Sequence, residues 1–333
     1  MLPHLIPAGR IVGPWRATAF GGAAAGDRIL TAGARGLYTV GNAPNGATSM
    51  TYVRRVDPVT GRVLAQHGAA AVSIPGVLAD GGLWVAQRAA AKWELVLLDP
   101  KTLAANASPE AVTTGSDPDV QAMILGAVPG RHRLYLLHTR TIEVVDTARR
   151  RVVNTFRLPA EPSGAVVDPS GEHMYVSSGA YPAERLRVLD PDTGRPDPRP
   201  IYRDVTHGGF QPIAASPSGV WIEAGSGMER TATFHPLTDL RHATGLRSQA
   251  AGGWGTTVTV YSRTAWLGST GLVACLDPAT GKARATAGRG PSSAEHENVN
   301  AITQIGHTLV AQLSTSDFEP TLVHLTPPDV CLS

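Results

Sequence analysis

Seven times along this chain, a short hydrophobic run ends in a turn written Asp-Pro-x-Thr-Gly or a degraded form of it. The clear copies are Asp57-Pro58-Val59-Thr60-Gly61, Asp190-Pro191-Asp192-Thr193-Gly194 and Asp277-Pro278-Ala279-Thr280-Gly281, and weaker ones begin at Asp99, Asp146, His235 and Thr326. Successive starts lie 42 to 49 residues apart, which is the period of a propeller blade. The chemistry of the turn explains its recurrence. Aspartate accepts hydrogen bonds from backbone N–H groups within the turn, proline presets φ near −65°, and glycine takes the positive φ that returns the chain.

Two further signals keep phase with the turn. Each copy follows an apolar strand, such as Glu94-Leu95-Val96-Leu97-Leu98 or Leu272-Val273-Ala274-Cys275-Leu276. Earlier in each unit comes a second strand, and in five of the seven it is centred on Trp or Tyr: Trp84, Tyr135, Tyr175, Trp221 and Trp266. An aromatic there packs one blade against the next. A single blade cannot bury both faces of its sheet, so neighbours must stack. The expected fold is all-β, a seven-bladed β-propeller of four-stranded antiparallel blades around a central channel. It forms one domain over 1–333, with blades at 15–67, 70–108, 120–157, 163–203, 211–243, 257–287 and 299–332. A strand at 9–13 is the preferred candidate to complete the last blade, with 328–332 as the competitor. The segment from Gly36 to Ser49 contains Asn42, Asn45 and three glycines and reads as a mobile surface loop.

Composition narrows the function classes. Net charge is +2 with both signs spread evenly and no long Lys/Arg run, so there is no electrostatic footprint for nucleic acid or an anionic membrane. No apolar run approaches the ~18 residues of a membrane span. The N-terminal residues Met1 to Pro7 are too short and interrupted for a signal h-region. The chain as written therefore reads as a cytoplasmic monomer, and as a secreted or cell-envelope protein if its N-terminus is truncated. High Ala, Arg, Pro and Gly usage is like that of high-GC actinobacterial proteins. Cys275 and Cys331 form no Cys-x-x-Cys and have no histidine at metal-ligand spacing. They read as two buried or semi-buried thiols, and the alternative, a disulfide, requires oxidising surroundings and a geometry that sequence does not establish.

The stretch Thr141–Asp146 followed by Val152-Val153-Asn154-Thr155-Phe156 and then Val166-Val167-Asp168-Pro169-Ser170-Gly171-Glu172-His173-Met174-Tyr175-Val176 resembles the YVTN family of propeller repeats. The Asp-Pro-x-Thr-Gly element of the other blades is similar to quinoprotein-type and streptogramin-lyase-like repeats. These resemblances imply a seven-bladed propeller and concern scaffold positions rather than a site. The repeats lack the terminal tryptophan of quinoprotein dehydrogenases, and no adjacent cysteine pair is present, which argues against a PQQ cofactor. No cofactor is expected. Mg²⁺ or Ca²⁺ are the candidate metals, because streptogramin lyases and gluconolactonase-like enzymes hold a divalent ion near the channel.

Propellers bind where the loops between blades and between second and third strands converge, so those loops define the search. The loop 292–300 offers His296 and Glu297, able to ligate a metal or move protons. It reads more simply as a solvated polar loop. His207 lies beside Gly208 and Gly209, with Glu223 at the end of the following strand. That pair matches a lyase site in residue type but not in spacing, and reads more simply as a turn and a strand-end charge. Arg88, Asp117, Asp119, His138, Gln211 and Trp254 complete the ligand-binding candidates at the channel mouth. Trp254, among glycines, serves equally as a stacking platform or as a plug. No Gly-x-Ser-x-Gly elbow, phosphate loop or His-Glu-x-x-His occurs. The leading expectation is a propeller that presents a binding site to a protein or small ligand. Its rival is a lyase, lactonase or cyclase acting on a small molecule through His207, Glu223, His296 or Glu297.

Overall fold

The computed structural model describes residues 16–19, 27–33, 36–45, 48–89, 92–105, 112–114, 121–179, 185–198, 209–226, 229–250, 256–261, 263–288, 298–314 and 320–332. The chain is a seven-bladed β-propeller with mainly four-stranded antiparallel blades. It divides into two compact units. One comprises Gly21–Glu161 with Pro191–Arg195, and the other Met1–Phe20, Pro162–Asp190 and Pro196–Ser333.

The first unit holds blades 1 to 3. Blade 1 is Arg28–Gly33, Gly36–Asn45, Thr48–Val56 and Val63–Ala69. In blade 2 the short strands Ala71–Val72 and Val77–Ala79 both pair with Gly82–Ala89, followed by Lys92–Leu98 and Val112–Thr114. Blade 3 is Ala122–Val128, Arg133–His138, Thr141–Asp146 and Arg151–Arg157. First strands lie side by side, 77–79 against both 28–33 and 122–128, which makes them the innermost strands.

The other unit holds blades 4 to 7. Blade 4 shows three strands, Pro162–Val167, Met174–Ser178 and Arg185–Leu189. Blade 5 is Phe210–Ser216, Gly219–Ser226, Glu229–Pro236 and Thr244–Ala250. Blade 6 is Thr257–Val260, Ala265–Ser269, Leu272–Leu276 and Ala283–Gly288. Blade 7 is Asn298–Ile305, Thr308–Ser314 and Pro320–Thr326, with Arg16–Ala19 as its outermost strand in the register Arg16↔Thr326 to Ala19↔Val323. The closing strand expected at 9–13 lies outside the described residues. The competitor at 328–332 contains a 3-10 turn, Asp329–Cys331, rather than a strand.

The repeated turn behaves as its residues dictate. Asp57 Oδ1 accepts the N–H groups of Val59 and Thr60 at 2.9 Å each, and Asp99 Oδ1 those of Lys101 and Thr102. These backbone donors hold both carboxyls below the ordinary range, and the Ala279 N–H does the same for Asp277. Gly194 and Gly281 take φ of +70° and +67°. A second reason keeps them glycine: a Cβ would collide with Phe156 at Gly194 and with Phe234 at Gly281, each phenylalanine belonging to the preceding blade. Leu103 and Arg150 occupy the corresponding place in the worn copies and are forced to φ +57°.

The central aromatics pack between blades. Trp84 sits with Ala122, Ile124 and Leu134 of blade 3, Trp221 with Val258 and Leu267 of blade 6, and Trp266 with Val299 and Ile302 of blade 7. Some also latch onto the next blade's turn or strand. Tyr38 Oη donates to Pro100 O at 2.7 Å, Tyr135 Oη to Asp192 Oδ1 at 2.9 Å, and Trp266 Nε1 to Gln304 Oε1 at 3.0 Å.

Two expectations are corrected here. Residues 36–45 are a strand, not a mobile loop, and Leu37, Tyr38, Thr39 and Val40 are buried in it. Gly36-Leu37-Tyr38 repeats the Gly82-Leu83-Trp84 pattern, a signal masked by the Asn, Gly and Pro residues that follow. Cys275 and Cys331 are not thiols but a disulfide, both fully buried, with Cα atoms 5.8 Å apart. The C-terminal turn packs against blade 6, where Thr264 Oγ1 donates to Cys331 O at 2.9 Å.

Candidate functional site

In every blade the Asp-Pro-x-Thr-Gly turn follows the third strand, so the starts of first strands and the ends of second strands lie at the opposite end. Four expected site residues are described, and each occupies that end of its own blade. Gln211 is the second residue of a first strand, directly opposite Glu223. His138 ends a second strand opposite Ala122, and Arg88 lies near the end of another opposite Ala71. His207, His296, Glu297, Asp117, Asp119 and Trp254 lie outside the described residues.

Glu223 is 3% exposed and its carboxylate accepts three hydrogen bonds. Oε2 accepts from Gln211 Nε2 and Arg230 Nη1, both at 3.2 Å, and Oε1 accepts from the Thr256 backbone N–H at 2.5 Å. Thr256 Oγ1 continues the chain to Ser248 Oγ and Ser269 Oγ, at 3.3 Å each. The carboxylate thus ties the second strand of blade 5 to the start of blade 6. A buried charge needs such compensation. With three donors on two oxygens, its chemistry is that of a strut. Of its partners only Gln211 was a sequence candidate. Arg230 lies 7 residues from Glu223 and Thr256 lies 33 away.

Blades 1 to 3 carry separate polar groupings at the same strand ends. Gln87 is buried, bonding His67 Nε2 through Oε1 at 3.0 Å and donating from Nε2 to Glu94 Oε1 at 2.9 Å. Gln121 Nε2 donates to Ser73 Oγ at 3.1 Å. Asp27 accepts from Thr39 Oγ1 at 2.7 Å and Arg54 Nη1 at 2.6 Å. Burial raises its pKa, with Thr39 and Arg54 pulling the other way. Arg88 Nε is buried without a hydrogen-bond partner.

His138 differs from all of these. Its Nε2 lies 3.5 Å from Glu143 Oε2, and the two side chains are 9% and 15% exposed. That is an ion-pair separation, yet neither atom makes a hydrogen bond. Glu143 and Glu94 were absent from the sequence candidates. Their signal was available: each is a carboxylate flanked by apolar residues within a third strand. Among the described residues, no group of three or more His, Cys, Asp or Glu converges in a way that could hold a metal ion.

No protein-family model matches the chain, and no curated protein sequence does. Solved structures match by fold. The WD40 domain of Toxoplasma gondii coronin aligns with a TM-score of 0.56 at 12% identity, covering 94% of this chain and 87% of that one. The Dos1 propeller aligns with a TM-score of 0.53 at 13% identity, covering 87% of this chain and 74% of that one. At such identities the likeness is one of architecture: a seven-bladed propeller resembling WD40 propellers.

Proposed function

We propose that this chain is a binding protein, a propeller that presents a ligand or partner site at the strand ends opposite the Asp-Pro-x-Thr-Gly turns. Glu223 carries this reading. It is the one acid–base candidate of the rival lyase, lactonase or cyclase reading that lies among the described residues. Three hydrogen bonds, from Gln211, Arg230 and the Thr256 N–H, already hold it. A general base must be within reach of a substrate proton, and this carboxylate is occupied by its own scaffold. The architecture shared with WD40 propellers and the YVTN-type resemblance of 141–179 fit a repeat scaffold whose function lies in loops that do not repeat.

The test is a thermal-shift screen of a metabolite library, with each stabilising compound recovered and analysed by mass spectrometry. Binding with the compound recovered intact supports the reading. Catalytic conversion that disappears in Glu223→Gln overturns it.

We also place the protein in an oxidising compartment, because its two cysteines are paired and buried. Alkylation of protein isolated from its natural source without reductant should label no thiol. Two labelled thiols would refute the assignment.

A further inference from the structure

We propose that the outer edge of blade 3, residues 149–157, is a docking edge for an acidic, extended segment of a partner protein, which pairs its main chain with the strand Arg151–Arg157 and its carboxylates with the arginines at the strand's two ends. Three observations carry this. First, the strand is exposed in a way that the fold does not require. Six of its 7 residues are exposed, and it stands last in its sheet, with no strand beyond it among the described residues. The corresponding strand of blade 1, Val63–Ala69, exposes only alternate residues. An open edge is a template for another chain, and Val152 and Val153 add apolar surface at 37% and 39% exposure. Val153 shifts the register, so the uninterrupted stretch for pairing is 154–157.

Second, the charge of this edge is of one sign and largely unanswered. Residues 149–157 hold Arg149, Arg150, Arg151 and Arg157 and no carboxylate. Among the described residues only Arg149 of these is paired, with the buried Asp146 at 3.6 Å. Charge also protects an edge from aggregation, but other outer strands of this protein do with less. Val63–Ala69 carries no Lys, Arg, Asp or Glu, and Thr244–Ala250 carries Arg247 alone. Ala283–Gly288 carries Arg284, paired with Asp277 at 3.5 Å.

Third, one of these arginines is kept against backbone strain. Arg150 has φ +57° at the turn position where Gly61, Gly194 and Gly281 stand. Leu103 shares that φ, and its side chain, 1% exposed in the core of blades 1 and 2, accounts for it. Arg150 is exposed and has no such compensation. An observed outlier that packing does not explain is a pointer to function. What the Arg150 guanidinium meets lies outside the chain.

These features select the occupant. Carboxylates match the arginines, and guanidinium–carboxylate contacts are among the strong hydrogen bonds. A strand of 7 residues is about 20 Å long, so the segment carries acidic residues at both ends of a stretch of that length. A second copy of this chain is disfavoured, because its own edge would set arginine against arginine. Nucleic acid answers the charge but not the open N–H and C=O groups of the edge, which an extended peptide pairs by strand addition. The docking edge is separate from the strand-end site proposed above and does not depend on it.

The experiment is fluorescence anisotropy of the full-length protein with a fluorescein-labelled peptide of alternating Glu and Val, just longer than the strand. Its comparators are the same peptide N-methylated throughout, a Lys-Val peptide of the same length, and single-stranded DNA of equal charge. The Glu-Val peptide should bind, at least ~10-fold more weakly in the double variant Arg150→Glu/Arg151→Glu, where like charges meet. Its affinity should be unchanged in Arg247→Glu on blade 5, and binding should be lost on N-methylation and in the Lys-Val peptide. The peptide comparisons need no variant to fold. No binding of the Glu-Val peptide, binding indifferent to the double variant or to N-methylation, or DNA bound as tightly as the peptide overturns the proposal.

Discussion

Cutting the Cys275–Cys331 link should lower stability by about 4 kcal/mol. The two residues are 56 apart in sequence. Releasing a closed loop of that length returns about 14 cal/mol/K of chain entropy to the unfolded state, or about 4 kcal/mol at 25 °C. For 333 residues, the entropy of unfolding is about 0.7 kcal/mol/K, so the midpoint of thermal unfolding should fall by roughly 6 °C. The loop encloses the fourth strand of blade 6 and the three C-terminal strands of blade 7. Local opening of blade 7 should therefore accelerate more than opening of blade 5. The assay compares oxidised protein with protein unfolded, reduced and refolded in reductant, because both sulfurs are buried and native-state reduction is slow. The reduced protein retains every side chain, so the difference isolates the cross-link from packing. Hydrogen exchange across 298–326 reads the local effect. A midpoint unmoved within about 1 °C, with exchange in blade 7 unchanged, would refute the reasoning.

Replacing Arg150, held at φ +57° on the surface, by glycine should stabilise the protein by about 1 kcal/mol in urea denaturation. Gly194→Ala should do the reverse by roughly 2 kcal/mol, since it adds both backbone strain and a collision with Phe156. Glu223→Ala strands Gln211, Arg230 and the Thr256 N–H, and should cost roughly 2–3 kcal/mol by the same measurement. Asp57, Asp99 and Asp277 have depressed carboxyl pKa values in the folded state. Their contribution is therefore complete above the unfolded value of about 4 and is lost as pH falls through the folded values. Asp27, raised by burial, works in the opposite sense over the range just above that value. Urea unfolding followed from neutral pH down to about pH 3 should show an acid decline, shallower in the variant with asparagine at the three turn positions.

The parts of this molecule legible in its sequence are those whose physics is local. Asp57 finds its donors two and three residues away, so the turn is written in consecutive letters and its spacing reports the blade. Residues 36–45 obey the same local rule, since the Asn, Gly and Pro letters after Val40 mask a Gly-Leu-Tyr pattern like the Gly-Leu-Trp of blade 2. The glycine of the turn carries a second meaning that no local pattern shows. Gly194 must leave room for Phe156, a residue of the preceding blade.

The strand ends opposite the turns obey the other rule. What Glu223 does is decided by Thr256, 33 residues on, and a histidine and a glutamate named by type alone looked like a catalytic pair. The strand sequence around Glu143 marks a carboxylate among apolar residues, but only register places that carboxylate beside His138. Both cysteines gave the same lesson, since a separation of 56 residues says nothing about distance. In a repeat fold, scaffold contacts recur at the blade period and can be read by counting. Site contacts join residues from non-equivalent positions and recur nowhere. A carboxylate that interrupts an apolar strand is accordingly the sequence signal closest to function here, and Glu94, Glu143 and Glu223 all carry it. What separates the three is satisfaction: Glu94 and Glu223 accept hydrogen bonds from their own scaffold, whereas Glu143 keeps a buried oxygen unbonded 3.5 Å from an imidazole.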